Sequence, residues 1–263
     1  MRSQLLRALA RRAKLICGLA VLGWIAWVAG ALFARQPFRP GWLGTLFFIV
    51  VSASLLSAWA GSWQRMTIRE SALPMLPRRK LRQQFPALTV KDVDLVERGF
   101  RQFFMACSRS NGPYVAMPSK IVDAYWHAFI LDTRSYADWC DRTLGRFLHH
   151  VPAERLGSDA KTNDGLRRAW FFACKDEAIN PRRPSRLPLL FALDAKLGVA
   201  GGLVYSPAPR PPGGSSSVAG GVAITYGEDF GDASFSGNAD AMGGADGGGD
   251  GGGDGGGGGC GGD

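Results

Sequence analysis

LICGLAVLGWIAWVAGALFA (residues 15–34) and WLGTLFFIVVSASLLSAWAGSW (residues 42–63) decide the architecture of this chain. Neither stretch holds a charged residue. The first is bounded by Lys14 and Arg35, and the second lies between Arg39 and Arg65. A helix rises about 1.5 Å per residue, so about 20 residues cross a hydrocarbon core of about 30 Å. Both stretches reach that length. The alternative is a pair of buried core helices, but a soluble helix of this length normally shows a polar stripe, and neither stretch has one. The hydropathy rules therefore predict two transmembrane helices.

Lys and Arg set the orientation. Arg2, Arg7, Arg11, Arg12 and Lys14 precede the first span; Arg65, Arg69, Arg78, Arg79, Lys80 and Arg82 follow the second. Only Arg35 and Arg39 lie between them. Positive residues stay inside, so both flanks are expected in the cytoplasm and the link outside. Trp42 and Trp63 stand near the ends of the second span, where amphipathic rings favour the headgroup layer. A basic flank, an apolar stretch and Ala29-Gly30-Ala31 also describe a cleavable signal peptide. The apolar stretch is long for that role, and cleavage would still leave the second span with its basic end inside.

The chain has 263 residues and a formal net charge of +9. No Lys or Arg follows Arg210, whereas eight acidic residues do, from Glu228 to Asp263; that tail carries −8 and the rest of the chain +17. Much of the positive charge flanks the spans, where anionic lipid headgroups attract it. Lipid explains this basicity better than nucleic acid does, because no RNA-binding aromatic motif and no Cys/His finger spacing is present. Cys17, Cys107, Cys140, Cys174 and Cys260 are scattered and odd in number, which argues against a disulfide framework.

The soluble part reads as all-α. Ser71 to Pro86 looks like a linker leaving the membrane. Thr89 and Asp92 form a weak capping-box pattern before a helix with Val93, Val96, Phe100, Phe103 and Phe104 on one face. Asn111-Gly112-Pro113 is a turn. Ser119 opens a helix through Ile121, Tyr125, Trp126, Phe129 and Ile130. Asp132 or Thr133 caps another, from Ser135 to about Leu148, closed by Pro152. Thr162-Asn163-Asp164 precedes a helix from Leu166 to Ile179, and a short segment runs from Leu189 to Leu197. Strand signals are poor. After Gly201, Pro, Gly and Ser dominate, ending in Gly-Gly-Gly-Asp repeats. These lack the nine-residue period and recurring apolar position of calcium-binding β-rolls and predict a disordered tail. The expected organisation is a basic N-terminus (1–14), spans at 15–34 and 42–63, and an external loop between them (35–41). A basic linker (64–87), a helical domain (88–200) and a disordered tail (201–263) follow.

All three histidines fall in one window, His127, His149 and His150. Asp123 lies one helical turn before His127, so its carboxylate can orient that imidazole. Antiparallel packing of the two helices would bring His127, Cys140 and His149 or His150 together. With Asp132 nearby, His127, Cys140 and His150 are chemically suited to zinc, although the spacings match no standard zinc module. The alternative is structural: His127 in a packed interface, Cys140 as a small apolar residue, and the His pair ending a helix. A Cys–His nucleophile lacks an evident third group, and no glycine loop between strand and helix offers a phosphate site.

The same window resembles the core of the glycine-rich domain-containing protein family. The matching positions are Trp126, His127, Leu131, Asp132, Thr133, Tyr136, Cys140, Gly145, Phe147, His150 and Pro152. Weaker likeness runs through Trp170 and Cys174 to Asp194. The resemblance implies a domain type rather than a reaction, and the membrane hairpin departs from the family's plant members. The expected protein is therefore a non-enzymatic, multi-pass protein of the cell (inner or plasma) membrane with both termini cytoplasmic. It presents an interaction or scaffold module to an unidentified protein partner, with the bilayer as its other partner and no nucleic acid. The alternative is a metal- or thiol-dependent activity centred on His127, Cys140 and His150.

Overall fold

Residues 2–37, 39–110, 113–150, 164–208, 218–219 and 222–230 are described by the structure, a computed structural model. Two long helices, α1 (Arg2–Phe33) and α2 (Gly41–Glu70), form an antiparallel hairpin. Its register is read from partners that descend along α2 as they ascend along α1. The Cys17 thiol donates to the Ala53 carbonyl (3.5 Å), Trp24 Nε1 donates to Thr45 Oγ1 (3.0 Å), and Trp27 meets Trp42 edge-on. Ser54 and Ser62 return their hydroxyls to the carbonyls of Val50 and Ala58, which satisfies polar groups without water. Large apolar side chains face outward instead, Phe47 and Phe48 at 71% exposure among them. Both helices are long and apolar enough to cross a membrane.

The second helix does not end at Trp63. At 30 residues it is about 45 Å long, well beyond a hydrocarbon core. Its last turns enter the helical domain, where Ile68 is fully buried. Arg101 caps the end, donating to the carbonyls of Ile68 and Ser71 at 2.7 Å each, and Arg69 pairs with Asp176. The expected linker 64–87 is thus the end of α2 plus a helix, α3 (Met75–Gln84). Arg79, Lys80 and Arg82 stay outside, half-buried Arg78 pairs with Asp94 and Glu97, and Pro77 and Leu81 turn inward; a proline in the first helical turn removes no intrahelical hydrogen bond.

The core is built on α4 (Val90–Arg109), which α5 (Lys120–Ile130), α7 (Asp164–Asp176) and α8 (Leu189–Lys196) surround. Its capping box is formed as the sequence suggested: Asp92 N–H donates to Thr89 Oγ1, and Thr89 N–H donates to Asp92 Oδ2. Phe100 meets Phe104, Tyr125, Phe129 and Trp139 at ring distances of 4.6–5.9 Å. Gly99 lets α8 approach: a Cβ there would stand 2.4 Å from Leu193 Cδ1. Helix α6 (Thr133–Thr143) is shorter than the expected 135–148 because Gly145, at φ +71°, takes the left-handed position that ends it.

Two carboxylates tie distant elements together. Glu177 accepts from Gln102 Nε2 (2.9 Å), the Leu189 N–H (2.6 Å) and Arg186, while Gln102 Oε1 accepts from the Leu190 N–H. Burial raises the Glu177 pKa, but those donors outweigh it and leave the carboxyl below its usual range. Asp194 accepts from Ser119 Oγ (2.7 Å), Lys120 N–H (2.8 Å), Ile121 N–H (3.1 Å) and Leu203 N–H (2.9 Å).

The domain also runs further than residue 200. Strand β1 (Val204–Ser206) pairs in parallel with β3 (Val222–Tyr226), and β2 (Val218–Ala219) pairs antiparallel with β3. A 3-10 turn, Gly227–Phe230, then buries Phe230 against Trp170 and Phe191. Tyr205, Tyr226 and Phe230 supply apolar anchors that the surrounding glycine and proline disguise, so the expectation of disorder from 201 fails over these described residues. Pro152, Thr162, Asn163, the Asn111-Gly112 pair and the tail from 231, with Cys260, lie outside the described residues.

Candidate functional site

Helix α5 starts where Ser119 caps it: the hydroxyl accepts from the Val122 N–H (3.3 Å) and donates to Asp194. That start turns Ile121, Val122, Tyr125, Trp126 and Phe129 into the core and leaves Asp123 and His127 together on the outer face, one turn apart. Asp132 then caps α6, accepting from the Ser135 N–H at 3.4 Å. The chain reverses at Gly145 and comes back past α5 at Leu148 to His150.

This return is fixed by a buried chain of polar contacts. Trp126 Nε1 donates to the Tyr136 hydroxyl (2.9 Å), and that hydroxyl donates to the Leu148 carbonyl (2.6 Å). Two residues on, the His150 ring packs against Trp126 at 4.7 Å and against His127 at 4.3 Å. Both imidazoles address one carboxylate. His150 Nε2 lies 3.0 Å from Asp123 Oδ1, and His127 Nδ1 lies 3.2 Å from Asp123 Oδ2. One ligand atom from each of the three residues lies within 4.8 Å of the others. The His127 side chain is 54% exposed and that of His150 17%, so the cluster is open on one side. Burial first, then the Cys107 thiol and the Asp123 carboxylate, push the nearby Tyr114 hydroxyl up to about 12.

The four residues expected to gather divide. His127 and His150 meet. Asp132 serves its helix end, and Cys140 is fully buried beside Tyr136. Burial raises the Cys140 thiol, outweighing hydrogen bonds from the Leu148 backbone and Tyr136, and a buried protonated thiol is a poor nucleophile and ligand. His149 is exposed, with its ring near Phe147. The residue that joins the two imidazoles is Asp123, which the i,i+4 spacing marked only as a partner for His127.

The matched segment runs from residue 64 to residue 222, in a family model described as UCP032817-like. The chain belongs to this family. The segment takes in the last turns of α2, helices α3 to α8 and β1, and it leaves out α1 and most of the apolar length of α2. The histidine cluster, Asp194 and the Glu177–Gln102 pair all fall within it. No curated protein and no solved structure matches the chain.

Proposed function

We propose that this chain is a two-pass membrane protein whose hairpin holds a helical interaction module at the cytoplasmic face, both termini inside. The observation that carries the reading is the course of α2. One unbroken helix has outward apolar residues over its first part and a buried Ile68 in its last, with Arg101 capping its end. An anchor that continues into the core of its domain fixes the domain's attitude to the bilayer. The basic residues at both inner ends suit anionic headgroups. Support for an interaction role comes from exposed Leu131 (71%), one turn after His127, and exposed Phe147 (44%), whose ring lies against His149. We infer in the same way that the motif from Trp126 onward is the one shared with glycine-rich domain-containing proteins, since contacts run in a chain from His150 to Trp126, from Trp126 to Tyr136 and from Tyr136 to Phe147.

The full chain should stay with the membrane pellet through alkaline extraction, and release into the supernatant would contradict the anchor. A photo-crosslinking residue at position 131 or 147, in native membranes, should give a discrete protein adduct. Lipid adducts alone, or none, would contradict the module.

A further inference from the structure

We propose that Asp123, His127 and His150 bind one divalent transition-metal ion of the zinc class. The donor set is two imidazole nitrogens and a carboxylate oxygen. Nitrogen donors disfavour calcium and magnesium, which take oxygen ligands, and suit zinc and its neighbours in the first row. Such an ion has bonds of about 2.0–2.2 Å, so its donors stand roughly 3.3 Å apart. The two imidazole–carboxylate distances, 3.0 and 3.2 Å, run to different oxygens of Asp123, and the three donor atoms lie within 4.8 Å of one another. Side-chain movements of up to about 1.5 Å would bring one atom of each residue to the bonding distance. Helix α5 holds two of the donors one turn apart. The third is held by its ring contact with Trp126 and by the Trp126–Tyr136–Leu148 hydrogen-bond chain. These contacts place the His150 ring beside Asp123 and His127. The open side, at half-exposed His127, leaves a coordination position to water or an incoming ligand, as three-ligand sites do and closed structural sites do not.

A competing account has Asp123 as a plain hydrogen-bond acceptor for the two histidines. The accounts separate in a cobalt titration of the full chain in detergent, freed of metal with a chelator that is then removed. The expected result is one equivalent of Co²⁺ with the strong visible absorption of a four-coordinate ion and no thiolate charge-transfer band. His127→Gln and Asp123→Asn should each weaken binding by more than about tenfold, and Cys140→Ala should leave it unchanged. Because His127 is largely outside the core, its Gln variant should keep the circular dichroism and melting temperature of the parent. Absence of the visible band would overturn the proposal. So would a band that survives His127→Gln and Asp123→Asn, the sign of binding in the acidic tail, or one that disappears with Cys140→Ala alone.

Discussion

Two aspartates on this domain sit in opposite circumstances. Asp194 is 2% exposed and has four donors on its two oxygens, drawn from α5 and the approach to β1. Asp123 is a third exposed and has two imidazoles, each on its own oxygen, with solvent beyond. A carboxylate whose acceptor positions are filled by backbone and hydroxyl donors is spent on holding elements together. One met by two titratable nitrogens on an open face retains the capacity to bind something else. Their contrast separates scaffold from site within a single helix, since both act on α5.

The largest effect should come from Asp194→Ala. It strands four donors, two of them buried, at about 1–3 kcal/mol per buried group, so the domain should lose about 4 kcal/mol or fail to fold. A melting temperature within a few degrees of the parent would break the contrast. Phe230→Ala should follow at about 3 kcal/mol, the cost of a vacated aromatic core position. Chemical denaturation that leaves the midpoint unmoved would return this segment to the status of a tail.

Glu177 supplies a pH-dependent version of the Asp194 role. Its folded pKa is depressed, so its contribution is complete above the ordinary glutamate value of about 4.3 and disappears as pH falls through the lower folded value. Glu177→Ala should therefore lower the melting temperature at pH 7 and lose that difference in acid. A difference that persists at low pH would contradict the sign. The smallest effect on stability belongs to Asp123→Asn, less than about 1 kcal/mol because the side chain is a third exposed and the amide keeps an acceptor oxygen, even though it removes the proposed metal site. Thiol chemistry sharpens the same division. Cys107, Cys140 and Cys174 are buried with raised pKa values, that of Cys174 reaching about 12, and should resist maleimide until the domain unfolds.

Short-range features were the legible ones. Thr89 with Asp92, Ser119 and Asp132 cap the helices they were expected to cap, because a cap is a contact over three residues. Asp123 and His127 were likewise readable as neighbours one turn apart. What depended on the chain's return was legible only in part, because both His150 and Cys140 were expected beside His127. His150, not Cys140, reaches that pair because Gly145 ends α6 early and the next residues cross back over Trp126. The role of Asp194 had no local signal, since its partners at the start of α5 lie more than 70 residues away. Arg65 and Arg69 closed the apolar window before the helix itself closed, which concealed Ile68 as a core residue. Tyr205 and Phe230 were hidden by the glycine around them.

Orientation is the claim on which the account rests. With Cys260→Ser as background, Gln36→Cys in the hairpin link and Asp138→Cys on the exposed side of α6 can be compared by labelling with a membrane-impermeant maleimide. The account predicts that Gln36→Cys labels in intact cells and that Asp138→Cys labels only after the membrane is opened. Labelling of Asp138→Cys in intact cells would place the helical domain outside and contradict it.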